Sequence, residues 1–212
     1  MVPADVQPRR YTAEEYFALE VKSEVRHDFF EGQIIKRPGD TATHNTIVGN
    51  CMMALRQALR HSESQVYTLG ILLVVSENEH YTYPNLLVCC ADDGAGEIAL
   101  IRQPQLLLQV SYPETEADDH GLKFNQYKKL PSLRHYVLVA QPTWRVEWYR
   151  RNEANEWVIV VLTEPNEVLA IQELNLSLTV AQVYEETGVA QLCVKPQELE
   201  RAPEPDVSLS EE

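Results

Sequence analysis

Three short apolar runs constrain this chain more than any other feature of its sequence. They are "NLLVCC" (85–90), "QLLLQV" (105–110) and "RHYVLVA" (134–140). Each is too short for an ordinary helix, and each is apolar at both odd and even positions. A strand with one wet face alternates; a strand covered on both faces does not. The runs therefore predict neighbouring central strands with other elements over each face. The expected class is α/β, with a mixed central β-sheet flanked by helices.

The segments between the runs supply those flanking elements. Thr12-Ala13-Glu14-Glu15 has the spacing of a capping box and predicts a helix burying Tyr16, Phe17 and Leu19. "RHDFFEGQIIK" predicts a hairpin turning at Glu31-Gly32. Ile47, Val48, Cys51, Met52, Leu55 and Leu59 recur at steps of three and four, which predicts a long amphipathic helix. A strand is expected over Val66 to Val75, and a helix over Gly121 to Leu130 that Pro131 ends. "RVEWYRR" and "EWVIVVL" read as an antiparallel pair. A short apolar segment (Val168 to Ile171) and a short helix (Val180 to Glu186) complete the body.

The formal net charge is −14 over 212 residues, but it is unevenly spread. Residues 152–212 hold thirteen acids and two bases, whereas residues 1–151 hold nineteen and sixteen. The body can thus carry a local basic surface despite the acidic total. The expected organisation is an N-terminal arm (1–10), one domain (11–190) and an acidic Pro- and Glu-rich tail (191–212) too poor in apolar residues to fold. No apolar run reaches the roughly 20 residues of a membrane span, and no secretory leader is visible, so a cytoplasmic protein without a membrane partner is expected. Cys51, Cys89, Cys90 and Cys193 show no zinc spacing and read as buried thiols, with Cys89 and Cys90 on opposite faces of their strand.

Two polar residues interrupt the apolar pattern. Asn85 follows Pro84 at the mouth of one central run, and Gln109 sits within the next. Carboxylates on adjacent strands there would suit Mg²⁺, which takes hard oxygen ligands and substrate phosphate. Asp28 in the hairpin and Lys123 in the later helix would complete such a site. Read alone, Asn85 is a turn residue, Gln109 a hydrogen-bonded core amide and Lys123 part of a solvated face.

The ordered set "YTAEEYFALE", "FEGQII", "HNTIVGN", "YPN", "QVSYPETEADDHGLKFNQYKKLPSLRHYVLV" and "VEWYRR" resembles a family of restriction-endonuclease-like proteins, expanded in photosynthetic bacteria, within the PD-(D/E)XK nuclease superfamily. The likeness spans about Tyr11 to Tyr184. It implies a restriction-endonuclease-like core and Mg²⁺- or Mn²⁺-dependent cleavage. It places a metal-binding Asp where Asn85 stands, a Glu where Gln109 stands, and a catalytic Lys at Lys123. Ser111 holds the lysine's older place on the strand, and Asp28 would be the fourth member. His44, Asn45 and Thr115 are retained and are candidates for nucleic-acid contact. DNA is the implied partner, RNA stays open, and a homodimer or a pairing with an active paralogue is consistent with the superfamily.

The departures bear on chemistry. Besides the two amides, Tyr112 and Glu114 replace small residues and His120 replaces an Arg of the family pattern. One carboxylate charge about 4 Å from a metal is worth roughly 4 kcal/mol at an effective dielectric of 20. Its loss corresponds to two or three powers of ten. The expectation is a degenerate metal site with cleavage lost or strongly reduced. Trp144, Trp148 and Tyr149 interleave with Arg145, Arg150 and Arg151, a pattern that fits a nucleic-acid-facing ribbon or a half-buried strand pair.

Overall fold

A computed structural model describes residues 9–37, 39–68, 70–90, 99–113, 115 and 118–191. The chain opens with α1 (Ala13–Glu20), the hairpin β1 (His27–Phe30) and β2 (Gln33–Lys36), and the long helix α2 (Ala42–Ala58). Strands β3 (Ser64–Thr68), β4 (Leu72–Ser76), β5 (His80–Thr82), β6 (Leu86–Cys90), β7 (Leu100–Ile101) and β8 (Pro104–Ser111) follow. A π-helical turn (Asp119–Lys123) runs directly into α3 (Phe124–Tyr127). The chain then forms β9 (His135–Ala140), β10 (Val146–Arg151), β11 (Trp157–Leu162), β12 (Val168–Ile171), β13 (Leu176–Thr179) and α4 (Val180–Val183).

The three apolar runs become adjacent strands of a six-stranded sheet ordered β11-β10-β9-β8-β6-β3. It is mixed: β8 and β9 are parallel, and the other pairs are antiparallel. Alternate side chains enter two different cores. Leu86, Val88, Leu106, Leu108 and Val137 meet α2, α4 and β13 on one face. Leu87, Cys89, Leu107, Tyr136 and Leu138 meet Tyr127 of α3 on the other. Full burial of each Leu is worth roughly 2 kcal/mol, which explains why neither parity of these strands tolerates polar residues along its middle.

A second sheet, β2-β1-β5-β4-β7, carries α1. Here Tyr16 stacks between Phe29 and Tyr81, with ring centroids at 5.1 and 5.9 Å. The capping box is formed in full by Thr12 and Glu15. The hairpin turns at Glu31 (φ 46) and Gly32 (φ 82). A side chain at Gly32 would also stand 3.1 Å from Arg10 Cβ, so glycine is required twice over.

Four expectations need correction. The span Val66 to Val75 is two strands in different sheets, broken at Gly70, whose φ of +96 an L side chain rarely adopts. Of the α1 residues, Tyr16 is buried, Phe17 half-buried and Leu19 exposed, because Glu20 takes the inner position at the end of that short helix. The segment 121–130 is a π-helical turn with one α-helical turn after it, and the last helix ends at Val183. Cys51 and Cys89 are buried, but Cys90, the last residue of β6, is exposed although Leu86 and Val88 on the same parity are covered. Cys193, Glu114 and the tail from 192 lie outside the described residues. Among the described residues no helix is long and apolar enough to cross a membrane.

Candidate functional site

The chain leaves β5 in one sheet and enters β6 in the other within three residues, Tyr83-Pro84-Asn85. This crossover brings residues of both sheets to one cavity of about 160 Å³. Its lining includes Asp28, His44, Asn85, Gln109, Thr115 and Lys123, six of the seven residues singled out from the sequence for metal, catalytic or nucleic-acid roles. Asn45 is exposed on α2 and does not line it. Ser111 is buried at the end of β8 and does not line it either.

Asn85 is 2% exposed, and its Oδ1 accepts the Val110 backbone N–H at 2.8 Å. The bond fixes the amide's orientation, because a flipped group would set N–H against N–H. The side chain thereby extends the β6–β8 ladder one step past its last backbone pair, Leu86 with Leu108. One lone pair of the carbonyl oxygen is thus used by the fold, and the group as a whole is an uncharged amide. Gln109 on β8 is equally buried, and its Nε2 has no hydrogen-bond partner. The reading of Gln109 as a satisfied core amide therefore fails. An unpaired buried donor costs about 1–3 kcal/mol.

The two carboxylates nearest this pair are engaged within the protein. Asp28 Oδ1 accepts from the Thr82 hydroxyl (3.0 Å), the Tyr83 backbone N–H (3.1 Å) and Arg37 Nη1 (3.4 Å). Arg37 also donates to the Tyr83 carbonyl, so it clasps β1 to the crossover. Asp119, 2% exposed, accepts from Lys123 Nζ at 2.7 Å and from the Thr115 hydroxyl at 3.0 Å. Both partners of the first bond sit in the π-helical turn, a local geometry frequent at functional sites. Burial pushes the Lys123 ammonium down. Tyr127 and Asp119 outweigh that effect and hold it above the usual lysine value. Lys123 is a cation here, not a base.

His44 is buried, donates its backbone N–H to the Thr41 cap and stacks on Tyr112 at 5.4 Å. Its Nδ1 stands 3.4 Å from Asp40 Oδ1 without hydrogen-bond alignment. Burial lowers its pKa, against the pull of Asp40. Sequence reasoning missed two lining residues with evident chemistry, Arg37 and His80. His80 precedes Thr82 by two on β5, so the same face of a strand carries both. Recognising β5 as a strand was the signal that could have found it. Burial pushes His80 down to about 4, with Asp28 opposing.

Behind the cavity, Glu147 on β10 anchors the π-helical turn. It accepts from the Tyr149 hydroxyl and approaches His120 Nε2, both at 2.8 Å, and pairs with Arg145 at 2.5 Å. This resolves the suggested aromatic ribbon. Tyr149 and Arg145 turn to Glu147, Trp144 stacks on Tyr184 at 5.5 Å, and Trp148 donates its N–H to His135. These rings are committed to the protein, as in a half-buried strand pair.

A mixed sheet covered on both faces, with a cavity at a strand crossover, has a counterpart among solved structures. A crystal structure titled as a putative nuclease belonging to DUF820, from Anabaena variabilis ATCC 29413, shares this fold. The TM-score is 0.67 over 82% of this chain and 97% of that one, at 16% identity. The chain belongs to the Uma2 family, described as "Putative restriction endonuclease", whose model matches residues 13–181. It is 26% identical over 175 residues to the uncharacterized protein slr1290 of Synechocystis sp. (strain ATCC 27184 / PCC 6803 / Kazusa), covering 82% of this chain and 92% of that protein. It is likewise 26% identical over 157 residues to sll1609 of the same strain, covering 73% and 89%.

Proposed function

We propose that this chain is a nucleic-acid-binding member of its family in which metal-dependent cleavage is lost or strongly reduced. The supporting observation is Asn85 itself. Its Oδ1 accepts the Val110 N–H, and the group it belongs to is a neutral amide where the family pattern has a metal-binding carboxylate. Mg²⁺ in such sites is held by one or two carboxylates together with water and substrate phosphate. Gln109 supplies only a neutral carbonyl oxygen, and Asp28 and Asp119 are held by Arg37 and Lys123. Among the described residues, no three His, Cys, Asp or Glu side chains are grouped so as to hold a metal ion. The residues present therefore do not fit the Mg²⁺ or Mn²⁺ that the family implies. What they offer instead is amide groups and three cations, Lys36, Arg37 and Lys123, on a lining that also carries Asp28, Asp40, Asp118 and Asp119; a phosphate group would be met there by the cations and amide N–H groups. DNA is the favoured partner.

A second reading, a silent paralogue acting through a protein partner, draws support from β11. This strand forms one edge of the six-stranded sheet, and its Ile159 and Val161 are 55% and 46% exposed.

Cleavage of duplex DNA with Mg²⁺ or Mn²⁺, by the native chain and by Asn85→Asp/Gln109→Glu, tests the first reading. The native chain is expected to be silent and its Tm indifferent to either cation, whereas the double variant gains a cation-dependent Tm rise. Metal-dependent cleavage by the native chain would overturn the proposal.

A further inference from the structure

Lys128, Lys129, Arg134, Arg150 and Arg151 come together at the end of the six-stranded sheet away from the cavity. Hydrogen bonds gather three of them. Arg151 donates Nη2 to the Lys128 carbonyl at 2.8 Å and Nε to the Leu133 carbonyl at 3.0 Å. Arg134 and Arg151 both reach Asn155 Oδ1, at 3.4 and 3.1 Å. Lys129 follows Lys128 at the end of α3, and Arg150 sits opposite His135 in the β10–β9 register. Four of the five are exposed and Arg151 is half-buried. None stands within 4 Å of a carboxylate among the described residues. Glu153, Glu156 and Glu173 lie on the same corner and temper its charge without pairing these cations. In a chain of net charge −14, a group of five cations left without carboxylate partners is unusual.

The spacing to the cavity is informative. Gln109 and Val110 stand opposite Leu138 and Val139, whereas the corner begins at Arg134 and His135. At about 3.3 Å per strand residue the two lie roughly 15 Å apart. Duplex DNA rises 3.4 Å of axis per base pair, so a short duplex laid along the sheet end to end reaches both places. Lys123 lines the cavity, and α3 leads from it straight to Lys128 and Lys129.

We infer that this corner is a phosphate-backbone contact surface for duplex DNA, engaging the same duplex that reaches the cavity. The inference rests on the nucleic-acid reading above. The contacts are electrostatic and carry no base recognition, since the aromatic side chains beside them, Trp148 and Trp157, are covered by Arg150 and Arg151 themselves at 5.1 and 4.7 Å.

The test measures binding of the full chain to a labelled 20-base-pair duplex across a salt series, without added metal. It compares the native protein with Lys128→Ala/Lys129→Ala/Arg150→Ala. If each side chain neutralises one phosphate, the slope of log K against log salt falls by roughly 0.9 per site, close to 3 in all. Affinity at low salt then drops by at least tenfold. A Tm matching the native value shows that the variant is folded. Equal binding by both proteins would overturn the corner and leave the nucleic-acid reading standing. Absence of duplex binding by the native chain would overturn both. Tighter binding of single-stranded RNA than of duplex, with the same slope change, would overturn the choice of duplex DNA as occupant.

Discussion

At the Gln109 end of the six-stranded sheet, charges answer one another. Asp28 meets Arg37, and Asp119 meets Lys123. At the Arg150 end, four exposed cations and the half-buried Arg151 stand with no carboxylate within 4 Å among the described residues. Both ends are rich in charge, yet charge does different work at each. In the half-buried cavity Asp28, Arg37, Asp119 and Lys123 are structural clasps, because an unpaired ion there is costly. On the open corner, water screens the cations, so they remain unpaired at little cost and available to a partner. Retained charged residues in a family site are therefore not automatically retained for chemistry.

The sharpest way to break this contrast is to remove a clasp. Asp28→Ala strips the acceptor from Thr82, Tyr83 N–H and Arg37 together and leaves the guanidinium poorly solvated. We expect a loss of about 3–5 kcal/mol in urea denaturation. A loss under 1 kcal/mol would mean that the cavity end is no more clasped than the corner.

Acidification gives the next largest effect and compares the same two ends. Burial pushes both His80 at the cavity and His135 at the corner to about 4, from the usual 6.5. The unfolded chain then binds protons that the folded chain refuses between pH 6.5 and 4. Stability rises with pH across that window, is fully present above about 6.5, and is lost as pH falls through 4. At 1.36 kcal/mol per pKa unit, each His withdraws roughly 2–3 kcal/mol by pH 4.5. His80→Gln and His135→Gln should each flatten the stability profile between pH 7 and 4.5. An unchanged profile in either variant would remove that His from the account.

The smallest expected effect is the most discriminating between the ends. Lys129→Ala or Arg150→Ala alone should leave stability within about 0.5 kcal/mol, as at an ordinary exposed site. Lys123→Met leaves the buried Asp119 carboxylate without its cation and should cost about 1–3 kcal/mol by the same measurement. Equal costs at the two ends would dissolve the distinction drawn between clasp and free charge.

Much of the fold was legible in the sequence for one reason: covered strands cannot alternate. The runs at 86–90, 105–110 and 135–140 announced a doubly covered sheet, and the capping box at Thr12 and the turn at Glu31-Gly32 are local signals that tertiary context had no reason to overrule. The break at Gly70 was less legible, because an apolar stretch on either side of a glycine reads as one strand until pairing partners are known. The grouping of Asp28, Asn85, Gln109 and Lys123 followed from family resemblance and is met by the cavity's lining. Arg37 escaped because nothing local distinguishes a clasping Arg from a surface one, and His80 because the short strand β5 was not recognised.

The sequence by itself determined residue identities, and with them the neutral charge at positions 85 and 109 and the surplus of cations near 128–151. It determined the strand pattern as well, since burial on both faces is written in the order of apolar residues. Only the tertiary structure decided how the Asn85 amide is oriented, because that depends on a backbone N–H 25 residues away. It also decided which charges are clasped and which are free. Pairing is a matter of distance and desolvation, and neither exists until β1, β5, β6 and β8 are brought to the same place.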